Sequence, residues 1–294
     1  MSRIEQALEK AVRMRETKDA VIPRETETSV SCQAAPHKFR IGELAINRSR
    51  VDRHVVSITD PFSSAAEQYK RLRARLLRAT AKEAHTAIMV TSAEMDEGKS
   101  LTAINLAVAL AQEIDHTVLL VDADLRNPSI HTYIGMEQGK GLSEYLKDEV
   151  VLSDVLVNTG IGKLVFLPAG QPPDNAAELL SSEKMRMLVH EMKSRYDDRY
   201  IIFDSSPLLA TAEPISLGSF MDGVLLVIRE GRTSQTAVGQ ALSLTKGWNM
   251  LGVVLNSVSD SVISSRYSHY YHRYGHKAER EKAEKGGGGP VDVQ

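Results

Sequence analysis

Six short apolar runs constrain this chain more than any other feature, at residues 87–90, 118–121, 164–167, 200–203, 224–228 and 253–255. They are nearly continuous rather than alternating with polar residues, which is the pattern of strands covered on both faces in a parallel sheet. Helical spacing separates most of them, at residues 101–112, 178–195 and 233–246. Strands alternating with helices imply an α/β domain of three layers, a mostly parallel central sheet between helices. Residues 56–262 are read as that one domain, without internal repeats.

The flanks read differently. In residues 1–17, Ile4, Ala7, Leu8, Ala11 and Val12 recur at helical spacing. This short helix either docks on its own protein or meets a partner or a membrane surface. Its narrow apolar face, poor in Leu and Phe, argues against unaided membrane binding. Residues 18–55, with Pro23, Pro36 and Ser/Thr runs, lose any period and read as a linker. Residues 63–79 carry Ala65, Tyr69, Leu72, Leu76 and Leu77 at helical intervals, with arginines on the other side. From 263 to 294 the period is gone again, and a tyrosine-rich stretch, a charged run and glycines at 286–289 predict a mobile tail.

Composition excludes several classes. Lys+Arg 36 against Asp+Glu 38 leaves a net charge of -2, so no basic field points to nucleic acid. The single cysteine, Cys32, excludes an internal disulfide framework and a cysteine zinc site. No run approaches the ~18 apolar residues of a membrane span, and the first residues lack a signal-peptide core. A cytoplasmic protein is expected, with any membrane role exerted through a partner or a surface contact.

Chemistry concentrates in three places. The first is Ala93-Glu94-Met95-Asp96-Glu97-Gly98-Lys99-Ser100, followed by Leu101 at the head of a helix. A loop of this spacing between strand and helix wraps phosphates with backbone N–H groups, its Lys reaches the outer phosphates, and its Ser hydroxyl binds magnesium. The pattern asks for Gly where Ala93 stands, a modest departure if that residue has an ordinary φ. The second is a strand ending in Asp122-Ala123-Asp124-Leu125-Arg126. Its two carboxylates leave the strand on one side, where an α/β sheet opens onto its ligand crevice. Alone, such a pair is commonly a cap or turn; behind a phosphate loop it can hold magnesium waters and accept a proton. The third is Tyr200-Ile201-Ile202-Phe203-Asp204, where a strand-end acid can order a magnesium-bound water.

Together these motifs resemble the bacterial protein-tyrosine kinases, which build a tyrosine kinase on a P-loop NTPase fold. The likeness runs from about Asp60 to Tyr274 and includes Gly141-Leu142-Ser143, Leu167-Pro168-Ala169-Gly170, Ala177-Glu178-Leu179-Leu180 and the stretch from Leu251 to Asn256. The N-terminus is similar to those of soluble autokinases of exosortase-linked exopolysaccharide loci. The resemblance implies ATP and Mg²⁺, with Lys99 and Ser100 on the β/γ-phosphates and the metal. It implies Asp122 as base or orienter for a tyrosine hydroxyl, Asp124 and Asp204 around the metal, and Asn256 near the adenine. It also implies an oligomerisation helix, Glu67-x-x-Lys70-x-x-Arg73, with Lys where the family has Arg; Lys lacks the bidentate fork. Expected partners are other copies in a ring, a transmembrane polysaccharide co-polymerase or chain-length activator, and a cognate tyrosine phosphatase.

Tyr267, Tyr270, Tyr271 and Tyr274 are four of nine tyrosines, crowded where no apolar period calls for core packing. They read as phosphoacceptors on a flexible segment; the bland alternative is an aromatic tail that folds back or sticks to a partner. The interleaved His269, His272 and His276 lack the fixed scaffold a metal site needs. Two other functions compete. A positioning or partition ATPase of related fold carries a signature Lys where Glu94 stands here, and lacks a tyrosine cluster. A non-catalytic nucleotide-binding adaptor draws on Ala93 and on Met95-Asp96 in place of Pro-Gly.

Overall fold

A computed structural model describes residues 42–43, 46–81, 86–195 and 198–259. The expected N-terminal helix and the tyrosine tail lie outside the described residues. The strands are β1 (Gly42–Glu43), β2 (Ala87–Ser92), β3 (Thr117–Asp122), β4 (Val157–Asn158), β5 (Leu164–Leu167), β6 (Arg199–Asp204), β7 (Gly223–Arg229) and β8 (Met250–Asn256). They form one sheet in the order β1-β4-β5-β3-β6-β2-β7-β8. Neighbours run parallel except β4 and β5.

The apolar runs inside the sheet become strands because both their faces meet helices. Along β2, Ile88 and Val90 join one core with Leu120, Ile202 and Leu225, while Met89 joins the opposite core with Val121 and Phe203. The first face is covered by the helix Lys99–Ala111, in which only Lys99 and Leu101 escape full burial. The helix Ser64–Thr80 packs outside it through Leu72, Leu76 and Leu77. The second face is covered by Glu183–Ser194 through Met185, Leu188, Val189 and Met192. Each such side chain contributes about 1.5–3 kcal/mol on burial. Among the described residues no helix is long and apolar enough to cross a membrane.

Three expectations need correction. Residues 46–55 are not linker: Ile46, Val51 and Val55 enter the core, and the Asp52 N–H donates to the Tyr133 carbonyl at 2.8 Å. Their irregular spacing carries no period, so only tertiary contact reveals them. The expected helix over 178–195 is two, Ala176–Leu180 and Glu183–Ser194. Ser182 starts the second, its side chain accepting the Met185 N–H at 3.1 Å, a capping role that Ser prefers to a helix interior. Finally, β8 is a sheet edge, and Val253 and Leu255 on it are each 51% exposed, so this run is not covered on both faces.

Register sets the site. Asp122 pairs with Asp204 across β3 and β6, and Asp204 pairs with Val90 on β2. Two acids and the start of the phosphate loop therefore share the carboxyl edge of three adjacent strands.

Candidate active site

The loop after β2 turns sharply into the helix Lys99–Ala111. Gly98 sits at φ 87°, in the left-handed region, and a Cβ there would lie 2.0 Å from Asn256 Nδ2. Only glycine meets both demands without strain. Asp96 also has positive φ, at 60°, whereas Ala93 does not. Ala93 is fully buried, so its methyl fits where the pattern asks for glycine. Glu94, Met95 and Asp96 point outward, but Glu97 points in and is 1% exposed. Its carboxylate accepts the Glu94 N–H at 2.9 Å and the Thr233 hydroxyl, while Asn256 Nδ2 donates to its carbonyl at 2.9 Å. Arg229 Nη1 donates to the Asp96 carbonyl at 3.2 Å, and Arg232 lies 3.6 Å from the Asp96 carboxylate.

Beneath the loop is a buried charge cluster. Lys99 Nζ lies 2.8 Å from Asp124, 3.1 Å from Ser100 Oγ and 3.8 Å from Asp204. Burial opposes the Lys99 charge, but the carboxylates of Asp204 and Asp124 outweigh it and hold the ammonium well above its ordinary pKa. Burial lifts Asp204 to about 6 against the pull of Lys99. Burial, reinforced by the Asp204 charge, raises Asp122 well above the usual carboxylate range. Asp122 Oδ2 accepts the Ser129 and Ile130 N–H groups, each at 3.2 Å. Asp122 Oδ1 and both Asp204 oxygens are buried without a hydrogen-bond partner. Such acceptors are costly unless something fills them. With the Ser100 hydroxyl they fit a hard, hydrated cation such as Mg²⁺. Among the described residues no cluster of three or more acid, His or Cys side chains could hold a metal alone. A cation here would lean on Ser100, water and phosphate oxygens, as Mg²⁺ commonly does.

Residues 86–248 match a family model described as an AAA domain. The tyrosine-protein kinase YwqD of Bacillus subtilis (strain 168) is 38% identical over 225 residues, covering 76% of this chain and 93% of YwqD. This chain belongs to the bacterial tyrosine-protein kinases. The tyrosine-protein kinase etk of Escherichia coli (strain K12) is 33% identical over 69% of this chain but over only 28% of its own length. The solved kinase domain of Escherichia coli ETK superposes with a TM-score of 0.64 at 32% identity, covering 70% of this chain and 82% of that domain.

Within this kinase, Ser100, Asp124 and Asp204 gather around the Lys99 ammonium, and sheet register sets Asp122 beside Asp204. Asn256 arrives from β8 with its amide engaged by the loop. Glu67, Lys70 and Arg73 stand apart on the helix Ser64–Thr80. Glu67 and Lys70 pair with each other at 3.4 Å, and Arg73 grips its own chain at the Ala109 carbonyl and Glu113. Tyr267, Tyr270, Tyr271 and Tyr274 lie outside the described residues. Sequence reasoning missed the inward turn of Glu97, its partner Thr233, and the pair of Arg126 with the buried Glu213 at 2.8 Å. Each joins residues far apart in the chain, and the sole sequence hint is a turn-forming Arg-Glu-Gly-Arg-Thr after β7.

Proposed function

We propose that this kinase autophosphorylates in trans, transferring the γ-phosphoryl group of ATP to Tyr267, Tyr270, Tyr271 and Tyr274 on neighbouring copies in a ring-like homo-oligomer. One observation carries the reading: a lysine and the strand-end acids meet under a loop that opens onto a helix N-terminus, with buried carboxylate oxygens left free. The loop amides and the helix N-terminus cradle phosphate oxygens. Lys99 exchanges its Asp124 partner for the outer phosphates. A Mg²⁺ ion held by Ser100 and, through water, by Asp122, Asp124 and Asp204 would neutralise charge on the β- and γ-phosphates.

The phenol oxygen attacks the γ-phosphorus in line, the bond to the β-phosphate oxygen breaks, and ADP leaves. The phenol proton passes to Asp122 Oδ1, the oxygen that the Ser129 and Ile130 amides leave free. A carboxylate whose pKa is raised by burial is a stronger base for that proton. Positioning supplies most of the acceleration. Asn256 lies on the loop's flank, where an adenine would rest.

The resemblance supports a setting for this activity: regulation of exopolysaccharide synthesis or export from the cytoplasm at the inner membrane. Membrane contact comes through a separate transmembrane co-polymerase or chain-length activator, and a cognate tyrosine phosphatase reverses the modification. The test is incubation with Mg-ATP followed by phosphosite mapping, for the native chain, Lys99→Met and Asp122→Asn. Phosphotyrosine confined to residues 267–274 and lost in both variants is expected. ATP hydrolysis without phosphotyrosine, even with the activator's cytoplasmic segment added, would overturn the reading.

A further inference from the structure

We infer that Thr233 is a positioning residue for nucleotide binding, acting through the inward-facing carboxylate of Glu97 to hold the phosphate loop open before the nucleotide arrives. The inference rests on the nucleotide-binding reading of that loop. A carboxylate at 1% exposure must have partners to stay in place. Glu97 has one inside the loop, the Glu94 N–H, and one outside it, the Thr233 hydroxyl. The Thr233 oxygen in turn accepts the Arg229 N–H at 2.8 Å, which fixes the hydroxyl's direction. Arg229 then reaches the Asp96 carbonyl, and Asn256 the Glu97 carbonyl. The turn after β7 and the end of β8 thus brace the loop from outside, while Lys99 and the carboxylates lie below it.

The arrangement has a chemical consequence. The Glu94 amide is engaged by Glu97, so phosphate capture falls to the amides that follow. An anionic Glu97 beside a triphosphate would repel it unless its charge were held by donors away from the ligand. Thr233 supplies one such donor from the turn after β7.

Thr233→Val removes the hydroxyl while keeping the branched shape. It leaves one Glu97 oxygen and the Arg229 N–H unpaired inside the fold. The full chain is titrated with a fluorescent ATP analogue in Mg²⁺, and autophosphorylation is followed against ATP concentration. Affinity should fall about tenfold or more, with KM rising and kcat at saturation nearly unchanged, and Thr233→Ser should restore both. Exchange of the Glu94 amide with solvent should also quicken in the Val variant. Thr233→Ala, at a partly exposed position, is a second variant should the Val form misfold. Nucleotide affinity within twofold of the native chain in a folded Val or Ala variant overturns the inference. Loss of kcat without loss of affinity overturns it as well. Because affinity is read without phosphotyrosine, a native chain that binds nucleotide but phosphorylates nothing would defeat the proposed activity alone.

Discussion

Lys99 is the counter-ion of the site as well as its expected phosphate ligand. Asp124 and Asp204 are 3% and 0% exposed in their side chains, and Lys99 is the cation beside them. Lys99→Met strands both acids, a change that costs about 3–5 kcal/mol when a buried pair is broken. The pH dependence follows from the direction of the shifts. Asp204 titrates near 6 in the fold, above its ordinary 3.8, so its contribution is complete below that lower value and is lost as pH rises through about 6. Without Lys99 the folded-state pKa rises further, and protons replace the missing ammonium at acid pH. Urea unfolding of both proteins at pH 5 and pH 7.5 should show a larger stability gap at the higher pH. A gap independent of pH would show that these acids do not depend on Lys99 for their charge.

At the level of elements, the loop and β8 are locked at Gly98. Gly98→Ala forces a left-handed φ on a residue with a Cβ, costing about 1–2 kcal/mol. It also drives that Cβ into Asn256 Nδ2. The variant should bind a fluorescent ATP analogue markedly more weakly, and adding Asn256→Ala should restore binding at most in part, since the φ penalty remains and the Asn256 brace on the Glu97 carbonyl is lost. Full recovery in the double variant would mean that the clash alone matters. These elements also show what the sequence can disclose. The phosphate loop, the acids at the ends of β3 and β6 and all six longer strands are legible because apolar runs and terminal charges are local signals. The two-residue strands β1 and β4 are too short for any period. The core residues Ile46, Val51 and Val55 depend on a distant surface for their burial. The bracing of Glu97 by Thr233, 136 positions along the chain, exists only after folding.

At the scale of the whole molecule, the helix Ser64–Thr80 clamps a neighbouring helix, and mutation can separate that duty from the proposed role in association. Arg73 holds the last turn of Lys99–Ala111 by donating to the Ala109 carbonyl at 3.0 Å and pairing with Glu113 at 2.8 Å. A cation there also complements the helix dipole. Arg73→Ala should therefore destabilise the isolated chain by about 1–2 kcal/mol. Lys70 contributes far less to the fold: its pair with Glu67 is more than a third exposed on the Glu67 side, and its ammonium stands 5.9 Å from the ring centre of the exposed Phe62. Lys70→Ala should change stability by less than about 0.5 kcal/mol. If copies of this kinase associate through Glu67, Lys70 and Arg73, Lys70→Ala should lower the assembly's mass in light scattering while the melting temperature stays put. Arg73→Ala should lower both. An assembly untouched by Lys70→Ala would move the interface elsewhere and leave Arg73 as a clamp between two helices of one chain.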